Sequence, residues 1–180
     1  MSKAKGSNMH HMRTWVTRTY GDDAWHELLH SMVTPDRREL EALVPVGWYP
    51  LALQHRLLRA IDRHVGRDDG ALVDTIGEYE ADQDLTVVHR LFLRLANPAF
   101  VLEKAGDYWS RFYTAGRWEV QRESPTSARA RLSDVEPWDP IFGRYLKAYI
   151  HRMWVLVGAK EVHIDSRDMG DGLRLIGRWS

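Results

Sequence analysis

The chain has 180 residues, 25 basic and 25 acidic side chains, 44% hydrophobic residues and no cysteine. That length predicts one globular domain, and a formal charge of zero lacks the basic footprint of a dedicated nucleic-acid binder. The missing cysteines exclude disulfides, thiolate-bound zinc, iron–sulfur clusters and a thiol nucleophile. The longest apolar run, Met153 to Ala159, is too short for a membrane span, and the polar start lacks a secretory leader, so a cytoplasmic domain is expected.

Residues 1–9 are small and polar and read as a flexible segment, followed by a single α+β domain over 10–180. A helix is predicted from near His11 to Tyr20, broken by Gly21. The next carries Trp25, Leu28, Leu29, Met32 and Val33 at helical spacing, and Thr34-Pro35-Asp36 opens a third. After the break at Val44 to Gly47, Leu53, Leu57, Leu58, Ile61 and Val65 mark a strong helix. Val73, Ile76 and Tyr79 mark another; Val87, Val88, Leu91, Phe92 and Leu95 form a further apolar face. Asn97-Pro98 then starts a helix expected to run through Phe112.

Past Gly116 the period changes from 3.6 to 2. Trp118 and Val120, then Ala128, Ala130 and Leu132, alternate with polar residues around the turn Ser124 to Ser127. A long helix carries Phe142, Tyr145, Tyr149, Met153 and Trp154, and a second hairpin turns at Asp168 to Gly172. This order predicts an N-terminal helical layer packed on a C-terminal four-stranded antiparallel sheet built as hairpin, helix, hairpin. The solvent face of that sheet would hold Glu119, Gln121, Arg129, Arg131, His163, Asp165, Arg174 and Arg178.

His26-Glu27-Leu28-Leu29-His30 matches the zincin pattern, two histidines one helical turn apart with a glutamate to activate metal-bound water. No third histidine follows at metzincin spacing, and the apolar spacing already explains the helix. A zinc metallopeptidase with Glu27 as base and His26 and His30 as ligands is therefore only the alternative reading. Glu78, Glu80, Asp82 and Asp84 form an acidic cluster that reads as a solvated helix face, and no serine lies in a hydrolase elbow.

Trp48-Tyr49-Pro50, Leu57-Leu58-x-Ala60-Ile61, Leu91-Phe92-Leu93, Pro98-x-Phe100-Val101-Leu102 and Trp109-x-x-Phe112-Tyr113-x-x-Gly116 together resemble an uncharacterised paralogous family best represented in myxobacteria. The likeness spans about Trp15 to Trp179. That family resembles the superfamily of haem–nitric-oxide-binding, vinyl-4-reductase-type and TRAPP domains. The resemblance implies helices over a four-stranded sheet with a cavity between. It also implies, for haem-binding members, a histidine on the helix before the first hairpin and a Tyr-x-Ser-x-Arg motif. The helix over 97–113 has no histidine and the motif is absent, so haem is not expected and no cofactor is assigned.

The function expected is a non-catalytic regulatory domain that senses a small apolar ligand or acts as a protein-interaction module, with a protein partner or homodimer. Candidate pocket residues are Trp48, Tyr49, Phe92, Phe100, Tyr108, Trp109, Phe112, Tyr113 and Trp154. An interaction module would leave Trp15, Trp25 and Trp138 exposed.

Overall fold

The helix-period and strand-period segments separate along the chain into two layers, and a computed structural model describes residues 2–84 and 98–180. In chain order the elements are β1 (Lys3–Lys5), α1 (Gly6–Tyr20), α2 (Asp22–Ser31), α3 (Thr34–Glu41), β2 (Trp48–Pro50), α4 (Leu51–Val65) and α5 (Ala71–Asp84). They continue with α6 (Pro98–Glu103), α7 (Ala105–Trp109), β3 (Arg117–Ser124), β4 (Ser127–Ser133), α8 (Pro140–Leu156), β5 (His163–Asp168) and β6 (Leu173–Arg178). The apolar face expected over Val87 to Leu95 lies outside the described residues.

Strands β3 to β6 form one antiparallel sheet in the order β3-β4-β6-β5. Its register places Trp118 opposite Leu132 and Ala130 opposite Leu175, so the apolar residues share one face, and α8 covers it. Glu119, Arg131, Arg174 and Arg167 form a row across the other face, as the alternation predicts. Gly177 of β6 is dictated by packing: a Cβ there would enter the ring of Trp154 from α8.

The start of the chain corrects the flexible segment expected over residues 1–9. β1 pairs antiparallel with β2, and Ala4 is 0% exposed and also bridges Tyr113. Lys5 N donates to Phe112 O and Thr114 N to Lys3 O, so the strand is gripped from two sides. A three-residue strand carries no readable period, and its partners lie far along the chain, which hides it from a local reading. The helix expected from Asn97 through Phe112 is likewise interrupted at Lys104, giving α6 and α7.

α8 is fixed at its start by Asp139, which accepts from Ile141 N and pairs both carboxylate oxygens with Arg59 of α4 at 2.6 and 2.9 Å. Along its length it lies against α5. Arg144 pairs bidentately with Asp74, and Arg152 donates twice to Asp82. Between these clamps Gly77 lets the helices meet: a Cβ there would sit 2.5 Å from the Tyr145 carbonyl oxygen and 3.1 Å from the Tyr149 nitrogen.

Candidate functional site: a buried carboxyl–phenol ladder

Close approach of α5 and α8 sets two pairs of side chains facing each other, each pair one turn apart on its helix. Glu80 and Asp84 come from α5, Tyr145 and Tyr149 from α8. Tyr113 and Tyr108, from the stretch before β3, complete two rungs. In the inner rung Tyr145 faces Glu80 and Tyr113. Tyr113 also accepts from Asn8 Nδ2 of α1 at 2.9 Å and Gln54 Nε2 of α4 at 3.3 Å. In the outer rung Tyr149 donates to Asp84 at 2.8 Å and lies 3.4 Å from the Tyr108 hydroxyl. His11 of α1 stands 3.8 Å from Asp84.

The environment is unusual for carboxyl groups. Glu80 is 1% exposed and no Lys or Arg among the described residues pairs with it or with Asp84. Burial, reinforced by the Asp84 charge, holds Glu80 well above the usual carboxylate range and so protonated. Burial alone pushes Asp84 up to about 6, and burial with His10 nearby pulls His11 down to about 4. Tyr108, Tyr113, Tyr145 and Tyr149 are all pushed up by burial and stay neutral. Two buried oxygens in this interior, Glu80 Oε2 and Gln54 Oε1, have no hydrogen-bond partner among the described residues. Leaving a buried polar atom unpaired costs about 1–3 kcal/mol.

The aromatic residues expected to line one pocket do not converge. Tyr113 and Tyr108 sit in the ladder. Trp109 stacks on Tyr113 at 4.0 Å and donates Nε1 to Ala115 O, and Phe112 packs on Tyr108. Trp154 is elsewhere, against Trp179 under the far end of the sheet. Trp48 and Phe100 are each 38% exposed, Trp48 beneath the Lys5 ammonium, and the Tyr49 hydroxyl accepts from Val44 N. Phe92 lies outside the described residues.

The sequence reading missed Glu80 and Asp84 by treating the acidic run as solvated. Only Glu78 is exposed as expected; Asp82 is taken by Arg152. The signal that finds the other two is their i, i+4 spacing in phase with Ile76 and Val73.

The histidines of the zincin pattern are spent differently. His26, Glu27 and His30 are exposed on α2, His30 Nδ1 lies 2.7 Å from His26 O, and Glu27 approaches His64. Among the described residues no group of three His, Asp or Glu is placed to hold a metal.

The α1–α4–α5–α8 layer on the β3-β4-β6-β5 antiparallel sheet is a fold that this chain shares with solved H-NOX structures. The particular likenesses are to H-NOX structures. A point variant of the H-NOX protein from K. algicida, in the Fe(II) unliganded state, matches with TM-score 0.78 at 11% identity, over 98% of this chain and 96% of that one. The S. oneidensis H-NOX protein in its Fe(II)NO state gives 0.74 at 12%, over 98% and 99%. An oxygen-binding H-NOX domain related to soluble guanylate cyclases gives 0.70 at 12%, over 98% and 95%. No family model matches the sequence, and no curated protein does.

These likenesses correct the expectation of no cofactor, because structures with this fold are described as Fe(II) and haem proteins. α5 and α8 touch backbone to backbone at Gly77, and phenols and carboxyls bonded to one another fill the space beside them. That part of the interior does not fit a flat, largely apolar macrocycle. His89 lies outside the described residues.

Proposed function

We propose that the chain is a non-catalytic, ligand-sensing regulatory domain of the H-NOX fold, whose ligand meets the carboxyl–phenol ladder in the interior. The observation that carries this reading is the pair of unpartnered buried oxygens, Glu80 Oε2 and Gln54 Oε1, with Tyr113 bonded to Gln54. A domain selected for stability alone would fill such a space with aliphatic side chains; polar atoms kept dry and unpaired favour a ligand. The fold neighbours support it, being described in nitric-oxide and oxygen complexes. The ladder joins α1, α4, α5 and α8 to the stretch before the sheet, so a ligand there would shift both layers together.

The interaction-module reading loses the feature that would have favoured it. Trp15 and Trp25 are buried, and Trp138 is half-buried with its Nε1 on Asp168. Among the described residues no helix is long and apolar enough to cross a membrane.

Native mass spectrometry of tag-free protein, compared with the same sample denatured, tests the proposal. A stoichiometric mass excess lost on denaturation is the expected result, and a visible spectrum of the same sample shows whether that mass is haem. Bare mass, with no thermal stabilisation by haemin, dissolved gases or small polar compounds, would sink it.

A further inference from the structure

We propose that β5 is a docking edge for a second copy of this chain. Two β5 strands pair antiparallel about a twofold axis at Ser166, joining two four-stranded sheets into one. The contact is main-chain pairing, so it needs no exposed aromatic residues, and it stands independently of what the interior binds.

β5 ends the sheet order and pairs with β6 alone; among the described residues no other backbone hydrogen bond reaches 163–168. The free N–H and C=O row of an edge strand is a template for another chain, and proteins blunt it with proline, lysine or a bulge. β3, the other edge, carries such an irregularity between Arg122 and Ser124. β5 has no proline, no lysine and an unbroken register from His163 to Asp168, and only Ile164 among these is buried. A groove of about 590 Å³ between α8 and β5 leaves the inner side of this edge open at Ile164, Ser166 and Asp168.

Charge selects the partner. Residues directly opposite in an antiparallel pair share a face, so a twofold pair of identical strands is centred on a residue. Asp165 at the centre sets two carboxylates face to face, and Arg167 sets two guanidiniums. Ile164 at the centre overlaps only His163 to Asp165 of the strand. Ser166 at the centre overlaps Ile164 to Asp168 and sets Asp165 opposite Arg167 of the partner subunit, twice by symmetry. Within one chain Arg167 stands opposite Arg174, and Arg174 opposite Arg131, a row of like charges that destabilises a sheet. Arg131 approaches Asp171 at 3.9 Å, whereas Arg167 and Arg174 have no ion pair among the described residues. The partner subunit's Asp165 brings the missing anion to the end of that row.

Sedimentation equilibrium over a range of concentrations, with far-ultraviolet circular dichroism to check each fold, tests the proposal. The wild type is expected to form a reversible dimer. Arg167→Asp turns both symmetry-related pairs repulsive and should raise the dissociation constant roughly tenfold or more. Because the chain has no cysteine, Ser166→Cys introduces a single thiol, and the two would face each other with Cβ atoms about 4.5–5.5 Å apart, near enough for a disulfide. His163→Cys, opposite position 169 in this register, would hold its thiols about 20 Å apart. Ser166→Cys should therefore oxidise to a covalent dimer and His163→Cys stay monomeric on denaturing gels. A wild type monomeric at every concentration, a dimer undiminished in Arg167→Asp, or equal cross-linking by the two cysteine variants would overturn the assignment.

Discussion

Replacing Gly77 with alanine isolates the contact that builds the ladder. In an open helix the change would stabilise by about 0.5–1 kcal/mol, because glycine loses more backbone freedom on folding. At position 77 the new Cβ would lie 2.5 Å from the Tyr145 carbonyl oxygen and 3.1 Å from the Tyr149 nitrogen. Both neighbours are backbone atoms inside α8, so neither can rotate aside, and the two helices must part against the Arg144–Asp74 and Arg152–Asp82 clamps. Overpacking of this kind costs roughly 1–3 kcal/mol. The expected net is a loss of about 1–2 kcal/mol, or a melting temperature lower by roughly 2–8 °C for a domain of this size. Thermal denaturation followed by far-ultraviolet circular dichroism measures it. The near-ultraviolet spectrum should change as well, since Tyr145 and Tyr149 move with α8. A variant as stable as the wild type with an unchanged near-ultraviolet spectrum would refute the close packing and the ladder geometry with it.

Stability against pH carries opposed contributions. Asp84, raised from 3.8 to about 6 by burial, contributes stability that is complete at low pH and lost as pH rises through about 6. His11 and His55, lowered from 6.5 to about 4 mainly by burial, contribute stability present above 6.5 and lost as pH falls towards 4. Asp84→Asn should therefore make the melting temperature climb more steeply with pH across that window than in the wild type; parallel curves would show that Asp84 is not buried as described. Removing residues 2–5 deletes bonds from Lys3 N to Thr114 Oγ1, Lys5 N to Phe112 O, Thr114 N to Lys3 O and Leu51 N to Ser2 O. The expected loss is roughly 2–6 kcal/mol in urea denaturation, and a truncated chain of full stability would contradict a structural role for β1. The double variant His26→Ala, His30→Ala should melt like the wild type and carry the same zinc by atomic absorption; a lost equivalent of zinc would restore the metal reading of that helix.

Periodicity alone located α2 to α5, α8, the two hairpins and the polar outer face of the sheet, because alternation and the i, i+3, i+4 stripe are properties of neighbouring residues. It also set the order that makes a helical layer on a four-stranded antiparallel sheet. Chain-distant pairing was beyond it. β1 is three polar-looking residues whose partners are Trp48 to Pro50 and Tyr113, and nothing local marks them as a strand. The aromatic residues were read as one pocket since hydrophobic identity says which residues are buried, not which meet; Trp154 and Trp109 ended in different parts of the core. The zincin spelling was local too, and the surface position of α2 removed its meaning. Glu80 and Asp84 show the limit best. Charge argues for solvent, and only the approach of α8 over Gly77, bringing Tyr145 and Tyr149 from more than sixty residues away, turns two of four acidic side chains inward. Their burial is set by hydrogen-bond partners that exist only once the chain has folded.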